Sequence, residues 1–409
     1  MNAHFRGHGP QTAEELIALH DARTSFFLAT ARHAVLAQGL FARVPPCREG
    51  LDAGVRRALL QAHDAGHQAP VVVGAVPFDV RQPAALSVAH AVLRTSPSAP
   101  TAHQTTPPND TCGAIVAPGP RGEAPPLIAS PVPEAAFYVR GVARAVERIR
   151  ADALDKVVLA RALDVKAGQP FDVRALLARL RADNPRGYTF AVRVGQERQL
   201  IGASPELLVS RCNGVVRANP LAGSAARSTD PVEDLRRARA LLQSAKDLEE
   251  HRLVVDAVAQ GLSPLCRGLD VPGTPSLLAT PTMWHLSTEV TGISDADALT
   301  LALALHPTPA VCGYPRDAAR ELIAQTEPFD RGFYAGMLGW SDLHGDGEWI
   351  VTIRCADISG AHARIYAGAG VVAESSPQSE LAETAAKFRT MLNALGLADE
   401  DRHAPRMAA

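Results

Sequence analysis

The chain reads as an α+β protein built on antiparallel sheets. Strand-like runs rich in β-branched residues alternate irregularly with helical stretches, without the regular repeat of a doubly wound fold. Helices at both ends carry recognisable start signals, and no internal repeat is present. At 409 residues the chain is long enough to bury a large core.

In chain order, Thr12-Ala-Glu-Glu15 is a capping box that opens a first helix. Strands are expected at Phe26 to Thr30 and Val35 to Val44, and Val71 to Val76 reads as a short buried strand. From Thr95 to about Pro133 the chain is dense in Pro, Ser, Thr and Ala, which predicts a long, partly disordered surface connection. A helix follows over Ala135 to Leu154, then a strand carrying Lys156, then a short helix through Leu176 to Arg181. Tyr188 to Val194 and Leu200 to Arg211 pattern as the two strands of a hairpin. Asp230-Pro231 pairs a capping side chain with proline at the first helical position, and that helix is expected to run to about Leu262. Strands return at Trp349 to Asp357 and Arg364 to Ala369. Pro377 opens a last helix that ends near Gly396, and residues 398–409 form a disordered tail. The expected organisation is one large domain, with residues 1–134 completing a core of 135–397.

Composition excludes several function classes. The net charge of −2, with both signs interspersed, leaves no footprint for nucleic acid or an anionic membrane. Mean hydropathy is −0.01, and no apolar run approaches the roughly 18–20 residues needed to span a bilayer. The first residues lack the apolar stretch of a signal peptide. Six scattered cysteines without a CxxC pair argue against a zinc site or a disulfide framework. A cytoplasmic location is the resulting expectation.

Several residues carry chemistry. Lys156 stands in the strand-like Lys156-Val-Val-Leu-Ala-Arg161, where a lysine is ordinarily a solvated edge charge. Glu250 shares a helix face with Leu253, Val254 and Ala257, whereas Glu249 aligns with Arg252 and Asp256. An inward carboxylate needs a cation or a donor; a pair with Lys246 one turn earlier would serve equally. Glu380, Glu383, Thr384 and Lys387 share one face of the last helix, opposite an apolar face of Leu381, Ala385, Phe388, Leu392 and Leu395. Taken alone, an ordinary solvated face with a Glu383–Lys387 pair is the commoner account of that arrangement. Three carboxylates from two helices nevertheless suit Mg²⁺, which prefers hard oxygen ligands and keeps several waters. Ala367-Gly-Ala-Gly370 brings bare backbone close to whatever lies over it, for packing or for an anion. Arg354 can hold a carboxylate bidentately or form a structural ion pair. His285, taken alone, fits a satisfied core histidine. Read from these residues, the chain is an α+β enzyme with inward carboxylates and no named substrate.

Taken together and in order, Lys156-Val-Val-Leu-Ala-Arg161, Ser204-Pro-Glu-Leu-Leu208, Pro220-Leu-Ala-Gly-Ser224, Glu249-Glu250-His251, His306-Pro-Thr-Pro-Ala310, Thr352-Ile-Arg354, Ala367-Gly-Ala-Gly370 and the paired Glu380 and Glu383 resemble the chorismate-binding enzymes. The resemblance is most pronounced to the isochorismate synthases of siderophore pathways. It covers Ala135 to Leu397 and extends to Val-Pro-Phe-Asp-Val-Arg-Gln-Pro ending at Pro83. The fold it implies is two packed antiparallel sheets covered by helices, with the site in a cleft between them.

Carried over residue by residue, the resemblance makes Lys156 the base that activates water against ring carbon 2 of chorismate. Glu206 becomes the acid that protonates the departing 4-hydroxyl. Such an acid must hold its proton at working pH, so its pKa should be raised. Glu250 and Glu383, with Glu380 beside them, match the Mg²⁺ carboxylates. Arg354, Gly368 and Lys387 match the groups that hold the substrate carboxylates, and Gly223, Ser224, His285 and Ala310 match pocket-lining residues. Ala222 stands where related aminodeoxychorismate synthases carry a nucleophilic lysine. Anthranilate synthases lack the base matched by Lys156 and draw ammonia from an amidotransferase, of which this sequence shows no domain. Water is therefore the expected nucleophile. Ala310, where salicylate synthases tend to carry threonine, favours stopping at isochorismate; Tyr334, where similar isochorismate synthases carry phenylalanine, favours salicylate. A non-catalytic chorismate-binding protein is the reading of another class, and the intact catalytic positions argue against it. The resemblance further implies a monomer acting on a small molecule, without an amidotransferase subunit.

Overall fold

The computed structural model describes residues 10–21, 23–95 and 127–397. The expected tail at 398–409 and most of the Pro-rich connection, residues 96–126, lie outside the described residues. Helix α1 (Ala13–Ala18) opens on the Thr12 capping box, with the Thr12 hydroxyl accepting from Glu15 N. Strands β1 (Thr24–Ala29) and β2 (Ala34–Arg43), helix α2 (Leu51–Asp64), and strands β3 (Val71–Val76) and β4 (Ala85–Arg94) follow. After the undescribed stretch come β5 (Ile128–Val132), α3 (Ala135–Arg150), β6 (Lys156–Lys166) and α4 (Val173–Asp183). Five strands are next: β7 (Tyr188–Arg193), β8 (Arg198–Ser204), β9 (Leu207–Cys212), β10 (Val215–Asn219) and β11 (Leu221–Ala226). Helices α5 (Pro231–Gln243) and α6 (Ala245–Leu262) lead to β12 (Arg267–Asp270), β13 (Ser276–Ala279), β14 (Met283–Ser287) and β15 (Val290–Ile293). The chain closes with α7 (Ala298–Leu305), β16 (Gly313–Tyr314), α8 (Arg316–Thr326), β17 (Met337–Asp342), β18 (Gly347–Val351), β19 (Cys355–Ser359), β20 (His362–Val371) and α9 (Pro377–Leu395).

Every strand pairing is antiparallel. The large sheet is one ladder in the order β12-β15-β10-β9-β18-β17-β3-β4-β2-β1-β7-β8-β19-β20-β6. It folds over into two layers, so the period-2 alternation of its strands feeds two cores. Phe26, Leu28, Val192, Leu200 and Leu159 meet Val72, Val209, Val216 and Trp349 of the other arm in the larger core. Their neighbours Phe27, Ala191, Ile201 and Ile365 point the other way, beneath Leu16 of α1, Leu177 of α4 and Met391 of α9. The α+β class and the two packed antiparallel sheets under helices are thus present. Hydrogen bonding joins the two layers into a single ribbon, and a separate three-stranded sheet, β11-β14-β13, packs against α5 and α6.

Five expectations need correction. Leu200 to Arg211 is two strands, because Pro205 and Glu206 carry the chain from one arm to the other. Trp349 to Asp357 is likewise broken at Thr352–Arg354, with Arg354 at a φ of 52°. These two bends lie side by side, since β8 pairs with β19 and β9 with β18. Val351 N donates to Glu206 O (3.2 Å) and Ala203 N to Arg354 O (3.1 Å). The helix from Asp230 is also two, split at Ser244, whose hydroxyl caps α6 by accepting from Asp247 N. Part of the expected Pro-rich connection is strand β5, paired with β6. On α9 the buried stripe runs through Glu380, Thr384, Phe388, Met391 and Leu395, while Ala385 is exposed. The face taken as polar is an inner one, because it covers charged groups rather than apolar ones.

The outer edge of β6 is only partly covered by strands. β16 pairs with Lys156 and Val157, and β5 pairs from Ala162 onward. Side chains and a loop fill the gap: Val158 N donates to Cys312 O (2.8 Å), and Ala160 N to Glu327 Oε1 (2.7 Å). Arg331 then donates to Val158 O (2.7 Å) and to Val311 O (2.8 Å). Glu327 and Arg331 pair with each other almost wholly out of solvent.

Candidate active site

The two bends place Glu206 and Arg354 at the corner where the sheet layers meet. The small sheet supplies Gly223, Ser224 and His285, α6 supplies Glu250, β20 supplies Gly368, and α9 supplies Glu383 and Lys387. With Ala310 these residues line one cavity, together with Pro205, Val158 and Ile353. Two of the expected site residues stand behind its wall. Lys156 is fully buried with its ammonium 2.9 Å from Glu250 Oε1, and Glu380 is buried against Lys246. The free space is only ≈ 50 Å³, enough for a few waters. A larger cleft of ≈ 490 Å³ adjoins it and shares Pro205 and Arg354.

Charge organises the site into acid–lysine couples. Lys156 faces Glu250 (2.9 Å), Lys246 donates to Glu380 (2.9 Å), and Lys387 reaches Glu383 (2.6 Å) while donating to Gly368 O (2.9 Å). The expected alternative of a Lys246–Glu250 pair is therefore absent. Glu383–Lys387 does form, but at a cavity wall rather than on a solvated face. At 2.9 Å, Lys156 and Glu250 satisfy an ion pair by distance, yet the contact does not have the angles of a well-formed hydrogen bond. Burial pushes the Glu250 carboxyl upward, but Lys156 above all, then Lys246 and Lys387, outweigh it and hold the group below its ordinary range. A side chain at Gly370 would overlap Glu250 Oε1 and crowd Lys156 Cε, so the bare backbone there makes room for this couple.

Glu206 behaves oppositely. Burial pushes its carboxyl to about 8, although Leu221 N–H, Lys156, Arg354 and Lys387 all act to lower it. It is therefore protonated at neutral pH, as an acid in this position must be. Arg354 is lowered by burial to about 10 and stays cationic. His285 is held well below its usual value by burial, by Arg354 and by Lys387, and is neutral.

Glu380 is raised, first by burial and then by Glu383, against the pull of Lys246. Asp247 is raised too, by burial and by Glu250 and Glu383. Asp247 was missed from sequence; its spacing of three from Glu250, the same as that of Glu380 from Glu383, was the available signal. No group of three or more His, Cys, Asp or Glu side chains among the described residues is assembled to hold a metal as it stands. The donor set still suits a hard dication in kind: Asp247 and Glu250 of α6 and Glu380 and Glu383 of α9 are all oxygen donors, and burial, with the charge of a neighbouring carboxylate, pushes Glu380 and Asp247 toward protonation. As arranged, lysines supply the cations that three of the four need.

His251 was quoted in sequence without a role. It is buried and ties α6 to the site, with Nδ1 3.2 Å from Ala222 O and Nε2 2.7 Å from Thr288 Oγ1. Tyr334 stacks on Tyr366 with ring centroids 4.7 Å apart, and its hydroxyl lies 2.8 Å from where a Cβ on Gly368 would sit. It stands one layer behind the cavity wall. Among the described residues no helix is long and apolar enough to cross a membrane.

Comparison with known proteins places this geometry. Isochorismate synthase DhbC of Bacillus subtilis is 49% identical over 387 residues, covering 91% of this chain and 94% of its own length. The vibriobactin-specific isochorismate synthase of Vibrio cholerae is 41% identical, covering 94% and 95%. The crystal structure of a Bacillus anthracis chain assigned as a 2,3-dihydroxybenzoate-specific isochorismate synthase superposes with a TM-score of 0.86 at 47% identity, covering 94% of this chain and 99% of that one. Residues 111–396 match the family model described as chorismate binding enzyme, so the corner cavity with its buried acid and its lysine couples belongs to a chorismate-binding enzyme.

Proposed function

We infer that this chain is an isochorismate synthase, which converts chorismate to isochorismate by adding water at ring carbon 2 and expelling the 4-hydroxyl. The observation that carries the mechanism is Glu206: a buried, protonated carboxyl on a cavity that also presents Arg354 and Lys387, with the carboxylates Glu250 and Glu383 at its wall. Those cations suit the two substrate carboxylates, with the Arg354 guanidinium able to grip one bidentately. Gly368 leaves its backbone open beside them.

Lys156 takes a proton from the attacking water as its oxygen bonds to carbon 2. The ring double bonds shift, and Glu206 gives its proton to the 4-hydroxyl, which leaves as water. One water enters and one departs, so the reaction is an isomerisation, and return of a proton from Lys156 to Glu206 resets the site. Glu250, Glu383 and Glu380 would hold Mg²⁺, which supplies positive charge against a substrate carboxylate when bound. With Glu250 drawn away to a dication held there, Lys156 would be left buried without its counter-charge, the setting a lysine base needs. The cavity as it stands is far smaller than a substituted ring, so its walls must move apart to admit substrate.

The names of the relatives support a role in making a siderophore precursor. Salicylate synthesis, by elimination of pyruvate from bound isochorismate, is the second reading. Tyr334 favours it, by adding a hydroxyl behind Gly368; Ala310 disfavours it, by giving the wall a methyl group where a hydroxyl would otherwise stand. Incubation of the purified protein with chorismate and Mg²⁺, without ammonia, followed by chromatography, separates the two. Isochorismate without pyruvate is expected, and salicylate with stoichiometric pyruvate would overturn the assignment.

A further inference from the structure

Three cavity side chains form a hydrogen-bonded row. Ser224 Oγ lies 2.8 Å from His285 Nδ1, and an Arg354 terminal nitrogen lies 3.3 Å from His285 Nε2. One member fixes the direction of the whole row. A guanidinium carries only donors, so His285 Nε2 must accept. A neutral imidazole has a single N–H, which then sits on Nδ1 and points at Ser224 Oγ. The serine oxygen accepts that bond, and its own proton is left to point elsewhere. Ser224 lines the cavity, so that proton is free to point into it. Protonating both ring nitrogens would set N–H against N–H at Arg354 and place a second buried cation beside the first.

We infer that His285 is a positioning residue locked in the Nδ1–H tautomer, which steadies the Arg354 fork and frees the Ser224 hydroxyl proton to donate to a substrate oxygen. The consequence is chemical selectivity. A lone hydroxyl beside an imidazole can spend its proton on the ring nitrogen, but here that nitrogen already carries a proton, so the Ser224 O–H is always available to the ligand. It favours a carboxylate, carbonyl or ether oxygen at its position. That the oxygen belongs to chorismate rests on the function proposed above; the tautomer does not.

The test is a long-range ¹H–¹⁵N correlation spectrum of the whole protein labelled with ¹⁵N-histidine, with the His285 signals assigned by their loss in His285→Gln. A protonated Nδ1 and a bare Nε2 are expected, the tautomer that free imidazole side chains disfavour. A protonated Nε2, or an imidazolium, would overturn the relay. Ser224→Ala should leave that tautomer in place, because Arg354 sets it, and should raise the KM for chorismate about five- to tenfold, the worth of about one neutral hydrogen bond. An unchanged KM would remove Ser224 from the row's function. Because the spectrum is recorded without turnover, its outcome is independent of which product forms. Salicylate with pyruvate would sink the proposed reaction and leave the tautomer standing, and the converse holds equally.

Discussion

Replacing Glu206 by glutamine should kill the reaction and stabilise the protein, and the stabilisation should grow with pH. The carboxyl titrates near 4.5 in an unfolded chain and near 8 in the folded one. Its folded pKa is raised, so below about 4.5 both states are protonated and no penalty exists. Between 4.5 and 8 the unfolded chain releases a proton that the folded chain must keep, and folding loses stability as pH rises. One pKa unit corresponds to about 1.36 kcal/mol, so the span of 8 − 4.5 = 3.5 units costs on the order of 5 kcal/mol above pH 8, and roughly 3 kcal/mol at pH 7. Glutamine has the shape of the protonated acid, can still accept from Leu221 N–H, and does not titrate. The assay is urea denaturation of the parent and of Glu206→Gln at pH 5, 7 and 8.5. The variant should match its parent within about 1 kcal/mol at pH 5 and exceed it by several kcal/mol at pH 8.5. Parallel pH profiles for the two proteins would mean that Glu206 ionises normally in the folded state, and the proposed acid would lose its proton source at neutral pH.

The same group should set the alkaline limb of catalysis, with kcat/KM falling as pH rises through about 8, and that limb should be absent from any alternative acid's profile; a flat rate to pH 9.5 would contradict it. Lys156→Ala should abolish turnover while calorimetry still detects chorismate binding, and a variant that keeps a near-normal rate would remove Lys156 from its role. Chelation of divalent ions with EDTA should stop product formation, and Mg²⁺ should restore it; full activity after exhaustive chelation would leave the carboxylates of α6 and α9 without a metal to hold. Glu327→Ala should cost about 3–5 kcal/mol in a thermal or urea melt, because it strands the buried Arg331 guanidinium, and a loss below about 1 kcal/mol would show that Arg331 finds another partner.

Local signals in the sequence were dependable where a single element decides the outcome. The Thr12 capping box, the Asp230-Pro231 start, the Val71–Val76 strand and the Gly396 stop are all where their chemistry puts them. Signals failed where the chain changes partner without changing pattern. Leu200 to Arg211 is strand-like on both sides of Ser204-Pro205-Glu206, and only the tertiary ladder reveals that its two halves belong to different layers. The break at Ser244 left a trace in Ser244-Ala-Lys-Asp247, a cap followed three residues later by an acid, but the helical period on either side conceals it. Helix α7 went unread because its eight residues are nearly all apolar and show no polar face. On α9 periodicity found the stripe of Glu380 and Thr384 but assigned it to solvent, since a pattern cannot tell water from a charged interior. The lysine partners of Glu250 and Glu380 lie 94 and 134 residues away, a separation beyond any periodicity argument. The site residues themselves came from resemblance, and the geometry adds which of them face the cavity.

The gap in the outer edge of β6 bears on how the molecule avoids its own kind. Unpaired N–H and C=O groups along a strand are an invitation to any extended segment nearby, and that invitation is how native sheets grow into aggregates. Here one vacant rung is taken by the Cys312 carbonyl and the others by a carboxylate and a guanidinium, side chains that bond in the directions a neighbouring strand would use but present no backbone of their own to continue the sheet. An intruding peptide would have to expel a buried ion pair before it made its first bond. The ladder therefore ends in a counterfeit strand, one that satisfies its neighbour and cannot be copied.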